Sequence, residues 1–180
     1  MLFRKTQGLF LVLLVSLAAC REEAPVAPPP PAPLTQDATG YFCNMTMVEH
    51  HGPKGQIWLK RNTGPLWFSS VRDTVAFTLL PEEPRDIQAI YVTDMSGAGS
   101  WDNPLVNKWI DAHTAYFVIG SSKKGGMGTA EPVPFGSRSA AGDFSERFGG
   151  DVVTFDMIPE NRILGSDDPG EPIQNKDLNQ

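Results

Sequence analysis

Pro65-Leu66-Trp67-Phe68-Ser69-Ser70-Val71-Arg72-Asp73-Thr74-Val75-Ala76-Phe77 decides the fold, because the chain uses this pattern twice. Pro132-Val133-Pro134-Phe135-Gly136-Ser137-Arg138-Ser139-Ala140-Ala141-Gly142-Asp143-Phe144 repeats Pro, Phe, Ser and Phe at the same spacing. In each copy an apolar run ends at an aromatic residue, and a serine hydroxyl then stands ready to accept from a free amide of a first helical turn. Each copy therefore predicts a strand, an N-cap and a helix. After each helix comes another apolar run, Ile90-Tyr91-Val92-Thr93-Asp94-Met95 and Val152-Val153-Thr154-Phe155-Asp156-Met157. Both are rich in β-branched and aromatic residues, as strands are, and both end in Asp-Met.

Further strands are predicted ahead of the copies, at Gly55-Gln56-Ile57-Trp58-Leu59-Lys60 and Ala115-Tyr116-Phe117-Val118-Ile119. The order is then β-β-α-β twice. It describes an α+β domain made of a tandem pair of units, at about 38–96 and 112–158, each a small antiparallel sheet covered by a helix. Trp58, Trp67, Trp101 and Trp109 are read as core or as packing between the halves.

The N-terminus indicates the compartment. Arg4 and Lys5 precede the run Leu9-Phe10-Leu11-Val12-Leu13-Leu14-Val15, which is too short to span a bilayer, so residues 1–19 read as a signal peptide. Leu17-Ala18-Ala19-Cys20 resembles the bacterial lipobox, which implies lipid on Cys20 and a mature protein anchored in the periplasm to either bacterial membrane. Residues 20–37 carry Ala24-Pro25-Val26-Ala27-Pro28-Pro29-Pro30-Pro31-Ala32-Pro33, the composition of a semi-rigid polyproline tether. Residues 38–165 form the domain, and 166–180 read as a flexible acidic tail. A formal charge of −6 and a pI near 5.0 give no footprint for nucleic acid.

The chemistry concentrates in Tyr41-Phe42-Cys43-Asn44-Met45-Thr46-Met47-Val48-Glu49-His50-His51, in a chain with two cysteines and three histidines. Thiolate and thioether sulfur are soft ligands and select Cu(I). Hard cations need carboxylates, and structural zinc needs four paired Cys or His ligands. With Cys20 lipidated, Cys43 has no disulfide partner, so it is either buried and inert or kept for chemistry.

Cys43 is the first ligand choice, because a thiolate adds a negative charge to its softness. Met127 is the second: it sits in Lys123-Lys124-Gly125-Gly126-Met127-Gly128-Thr129, where flanking glycines disfavour helix or strand interior. Met45 and Met47 alternate with Cys43, so in an extended segment all three share one side, toward a metal or toward the core. His50 and His51 are able to add a nitrogen. Lys54 has no lone pair when charged and is read as structural or partner-facing.

Phe42-Cys43-Asn44-Met45-Thr46-Met47-Val48-Glu49-His50-His51-Gly52-Pro53-Lys54-Gly55-Gln56 resembles the Cys-x-Met…His-x-Gly-Pro-Lys-x-Gln segment of NosL proteins, lipoprotein copper chaperones for bacterial nitrous oxide reductase. Asp111-Ala112-His113-Thr114-Ala115-Tyr116 and Gly126-Met127-Gly128-Thr129-Ala130-Glu131-Pro132-Val133-Pro134-Phe135 resemble further segments of that family, over roughly residues 20–158 in order. His113 stands where the family more often has arginine and is not counted as a ligand; His50 holds the family position. The resemblance implies a tandem β-β-α-β fold and Cu(I) bound through cysteine and methionine sulfur. It also implies delivery to the reductase's copper–sulfur centre, with a membrane transporter complex, and the reductase itself, as partners.

Two other classes remain. A thiol enzyme would use Cys43 as nucleophile and His50 as base, which requires the two in hydrogen-bond contact. A structural lipoprotein subunit would bury Cys43. There is no Cys-x-x-Cys, nucleotide loop or paired catalytic carboxylates, so the sequence reads as a binding protein and not an enzyme.

Overall fold

A computed structural model describes residues 27–97, 101–102 and 108–165. The signal peptide, Cys20 and the acidic tail lie outside the described residues. No helix among those described is long and apolar enough to cross a membrane.

The first unit is built as its repeat predicts. Strands β1 (Gly55–Leu59) and β2 (Leu66–Phe68) lead into helix α1 (Val71–Leu79), and β3 (Ile87–Thr93) returns beside β1. Ile57 and Leu59 point into the core while Gln56 and Trp58 take the opposite face, the two-residue period of a strand. A fourth strand, β4 (Trp109–Asp111), adds to β3 and gives the antiparallel order β2-β1-β3-β4. The second unit has β5 (Tyr116–Ile119), β6 (Val133–Phe135), helix α2 (Arg138–Phe148) and β7 (Asp151–Thr154), in the order β6-β5-β7. A short helix α3 (Glu160–Leu164) closes the domain. Arg72 holds its C-terminal end, donating from Nε to the Ile163 carbonyl at 2.9 Å and from Nη2 to Gly165 at 3.0 Å.

The two serines cap as their positions require: Ser70 accepts from the Asp73 amide at 3.0 Å, and Ser137 from the Ala140 amide at 3.2 Å. The main core joins α1, the inner face of the first sheet and one face of the second. Val71, Val75 and Phe77 meet Ile57, Phe68 and Val92, and Phe117 and Ile119 of β5 complete it. Val118, on the other face of β5, packs with Val133, Phe135 and Ala141 under α2.

The structure corrects three expectations. The shared Asp-Met does not end two equivalent strands. Asp94 accepts from the Ser96 and Gly136 amides, and the Met95 amide donates to Pro134, so the chain leaves the first sheet there to touch the second. Phe155–Met157 instead wind into a single 3-10 turn and leave Met157 exposed. Neither β4 nor α3 was anticipated, because three- and five-residue elements offer too few periods to read. Trp101 links the halves: its indole N–H donates to Lys124 and its carbonyl accepts from Gly52. Trp58, Trp67 and Trp109 stand on the outer face of the first sheet, because register places them opposite the core-facing residues.

Candidate metal centre

Cys43 sits at the tip of a small hairpin added to the edge of the first sheet. Thr39 bridges Thr46, the Gly40 amide donates to Met45 at 2.9 Å, and the Asn44 amide donates back to Gly40. Asn44 takes a left-handed conformation (φ 52°), which tightens the turn and re-aims the chain. The hairpin is tied to β2 by the Tyr41 amide, 2.7 Å from the Trp67 carbonyl. Tyr41 and Phe42 also lay their rings against Phe68 and Phe77.

The turn explains why the methionines diverge. Cys43, Met45 and Met47 do not share a side, because the segment is not extended: Met45 is 44% exposed and Met47 is fully buried. Met47 nevertheless comes back toward the cysteine. A side chain on Gly40 would meet Cys43 Sγ at 2.5 Å and lie in ordinary contact with Met47 Sδ at 3.6 Å, so both sulfurs face one backbone position, and the thiol would have to turn aside for a larger residue. The thiol is half-buried, free of any disulfide, and donates to Ser69 Oγ at 3.7 Å, just before α1 begins.

The second unit brings the glycine loop to the same end of α1. Lys124 bridges Ala130, and the Gly125 amide donates to Thr129, so Met127 stands at a tight loop tip, 49% exposed. Gly126 presses on His50: a side chain there would lie 2.8 Å from His50 Cβ. His50 is 7% exposed, and its buried Nε2 has no hydrogen-bond partner. An unpaired buried nitrogen keeps a lone pair or a proton available. His51 is exposed, 3.6 Å from Asp102, and His113 is exposed against Phe155.

Beneath these groups lie two buried ionisable side chains, Lys54 and Glu131. The ammonium of Lys54 donates its three protons to the carbonyls of His50 (2.6 Å), Gly52 (2.9 Å) and His51 (3.2 Å), and so clamps the backbone that follows the hairpin. Its role is structural, one of the two readings its sequence allowed. Burial pulls its pKa down to about 8, against the charge of Glu131, which holds it up. Glu131 ends the methionine loop and is itself buried. Its Oε1 accepts from the Val71 amide at 2.6 Å at the start of α1, and its Oε2 has no partner. Burial foremost pushes Glu131 up to about 8; the Asp73 charge adds to this, and the Val71 amide and Lys54 oppose it.

Sequence reasoning passed over Ser69 and Glu131, although the repeat contains a signal for both. Gly136 holds the place of Ser69 in the second copy, and Gly64 the place of Glu131 in the first. Departures from an internal repeat mark what one half does alone. Among the described residues no three His, Cys, Asp or Glu side chains group as metal ligands.

The sequence profile of the NosL family matches residues 31–163. The chain belongs to the NosL family. A copper-binding lipoprotein NosL from Achromobacter cycloclastes is 41% identical over 152 residues, 84% of this chain and 78% of that protein. Another, from Stutzerimonas stutzeri, is 35% identical over 120 residues, 67% of this chain and 61% of its own length. The crystal structure of the copper chaperone NosL from Shewanella denitrificans superposes with a TM-score of 0.66 at 34% identity, covering 73% of this chain and 98% of that one. The α+β architecture of two antiparallel sheets is thus that of a NosL structure.

Proposed function

We propose that this protein is a lipid-anchored periplasmic chaperone that carries Cu(I) for assembly of the copper–sulfur centre of nitrous oxide reductase, acting with that system's membrane transporter complex. The observation that carries the reading is the free Cys43 thiol at an exposed hairpin tip, with Met47 sulfur facing the same glycine. Thiolate and thioether together select Cu(I) over harder ions. The names of the relatives, copper-binding lipoprotein and copper chaperone, support the same cargo and describe binding, not catalysis.

Cys43 supplies the thiolate, and its binding to copper releases a proton. Met47 Sδ faces the same glycine as the thiol and supplies a thioether. Met127 and Met45 are exposed, suited to closing over cargo or yielding it, and His50 Nε2 has no other partner to give up. The half-exposed thiol and the exposed Met45 and Met127 let an acceptor's sulfur enter before the donor's leaves, so copper passes without being free. The thiol enzyme is disfavoured by geometry: Cys43 donates to Ser69, while His50 Nε2 is unpartnered, so no thiol–imidazole pair is assembled. A structural subunit with Cys43 buried is disfavoured by the half-exposed thiol.

The test is complementation of a denitrifying strain that lacks the protein. The parent restores a reductase with its copper–sulfur centre, whereas Cys43→Ser and Cys20→Ala chains do not. Normal assembly of that centre in the strain without any complementing chain contradicts the proposal.

A further inference from the structure

Gln56 is fully buried although it stands on the face of the first sheet turned away from the core. A buried amide needs partners, and these come from the proline-rich segment. Gln56 Oε1 accepts from the Ala32 amide at 2.9 Å, and Nε2 donates to the Ala32 carbonyl at 3.1 Å. The Trp58 indole N–H donates to the same Oε1 at 3.1 Å and fixes the orientation of the amide. Three residues earlier, the Pro29 carbonyl accepts from the Tyr91 hydroxyl at 2.7 Å.

The spacing is informative. A polyproline II helix turns once every three residues, so positions 29 and 32 lie along one edge of it. Their two partners lie side by side, Gln56 of β1 paired with Tyr91 of β3, with Trp67 of β2 in the same row. Trp109 reaches toward Trp67, with ring centroids 5.8 Å apart. Aromatic rings interleaved with donors to free carbonyls are the means by which proteins recognise polyproline II ligands. In Pro28-Pro29-Pro30-Pro31-Ala32-Pro33 the one residue with an amide N–H is Ala32, and that N–H is the one Gln56 takes.

We propose that the outer face of the first sheet is a polyproline II binding groove whose ligand is residues 29–32 of this same chain. Gln56 reads the single non-proline residue, and Tyr91 reads the carbonyl one turn before it. The segment is then a strap with a fixed seat and not a free linker. Where the chain is anchored through Cys20, a point that rests on the proposed function, nine residues instead of eighteen separate the anchor from the first held position, a reach of at most about 32 Å instead of about 65 Å at ~3.6 Å per residue. The strap therefore holds the domain close to its membrane.

The experiment is amide exchange and nuclear relaxation on the processed chain, residues 20–180, without copper or lipid. The Ala32 amide and the Trp58 indole should be protected, and Ala32 as rigid as β1. Ala32→Pro keeps the polyproline conformation but deletes the N–H; it should free residues 34–36 and speed Trp58 exchange about tenfold, as expected when a local contact opens. Gln56→Leu should do the same, and Ala32→Ser should change nothing. Should Gln56→Leu fail to fold, Ala32→Pro, outside the domain, carries the test. An Ala32 amide exchanging as in a free peptide, or an Ala32→Pro chain with Trp58 unchanged, overturns the proposal. Neither outcome bears on copper, so the chaperone reading stands or falls separately.

Discussion

Phe68 with Phe77 in the first half, and Phe135 with Phe144 in the second, are the same pair formed twice. Their ring centroids lie 5.5 Å and 5.1 Å apart, and a capped helix starts between the members of each pair. What covers each pair differs. In the first half, Tyr41 and Phe42 lie over it and carry the Cys43 hairpin, and α1 begins against Ser69 and a borrowed carboxylate, Glu131. In the second, Trp101 and Phe148 cover Phe144, Lys123 stacks on both, and α2 begins at exposed residues. The repeat supplies a scaffold twice, and the candidate site arises where the first copy gained what the second lacks. The second half contributes by lending its loop.

The comparison predicts unequal costs for equal substitutions. Phe77→Ala removes a fully buried ring from the main core and should cost about 4 kcal/mol in urea unfolding, whereas Phe144→Ala, half-exposed, should cost about 2. Equal losses would mean the halves are equally packed. Lys54→Met leaves three buried carbonyls without their donor, and should cost about 3 kcal/mol in the same assay.

Lys54 and Glu131 give the first half a pH signature. Between pH 4.5 and 8 folded Glu131 keeps a proton that the unfolded chain releases, so stability falls as pH rises through that window. Lys54 titrates at about 8 when folded and at 10.5 otherwise, so its unfavourable contribution fades and stability recovers between those values. Urea midpoints should therefore pass through a minimum near pH 8. Glu131→Gln, which keeps an acceptor for the Val71 amide, should abolish the falling limb; a limb that persists in the variant would assign it elsewhere. The smallest contrast is between the caps. Ser70→Ala, at a buried helix start, should cost about 1.5 kcal/mol, and Ser137→Ala, exposed, about 0.5.

The tandem fold was legible because strands, caps and helices repeat in sequence, and local hydrogen bonds enforce what the repeat predicts. Ser70 and Ser137 were placed correctly for that reason. Contacts made at long range were not legible. Nothing local says that Glu131 reaches α1 of the other half, that Gly126 presses on His50, or that Gln56 holds Ala32. The alternation of Cys43, Met45 and Met47 misled because a left-handed Asn44 breaks the extended period it assumed. Proline content gave no sign that the N-terminal segment has a seat on the first sheet.

The most direct test of the account is an anaerobic Cu(I) titration of the lipid-free chain against a chromogenic competitor, run beside Cys43→Ser. The account predicts one tight equivalent in the parent and its loss in a variant that still unfolds at the parent's urea midpoint. Equal copper retention by the variant would contradict a Cys43-centred site in the first half.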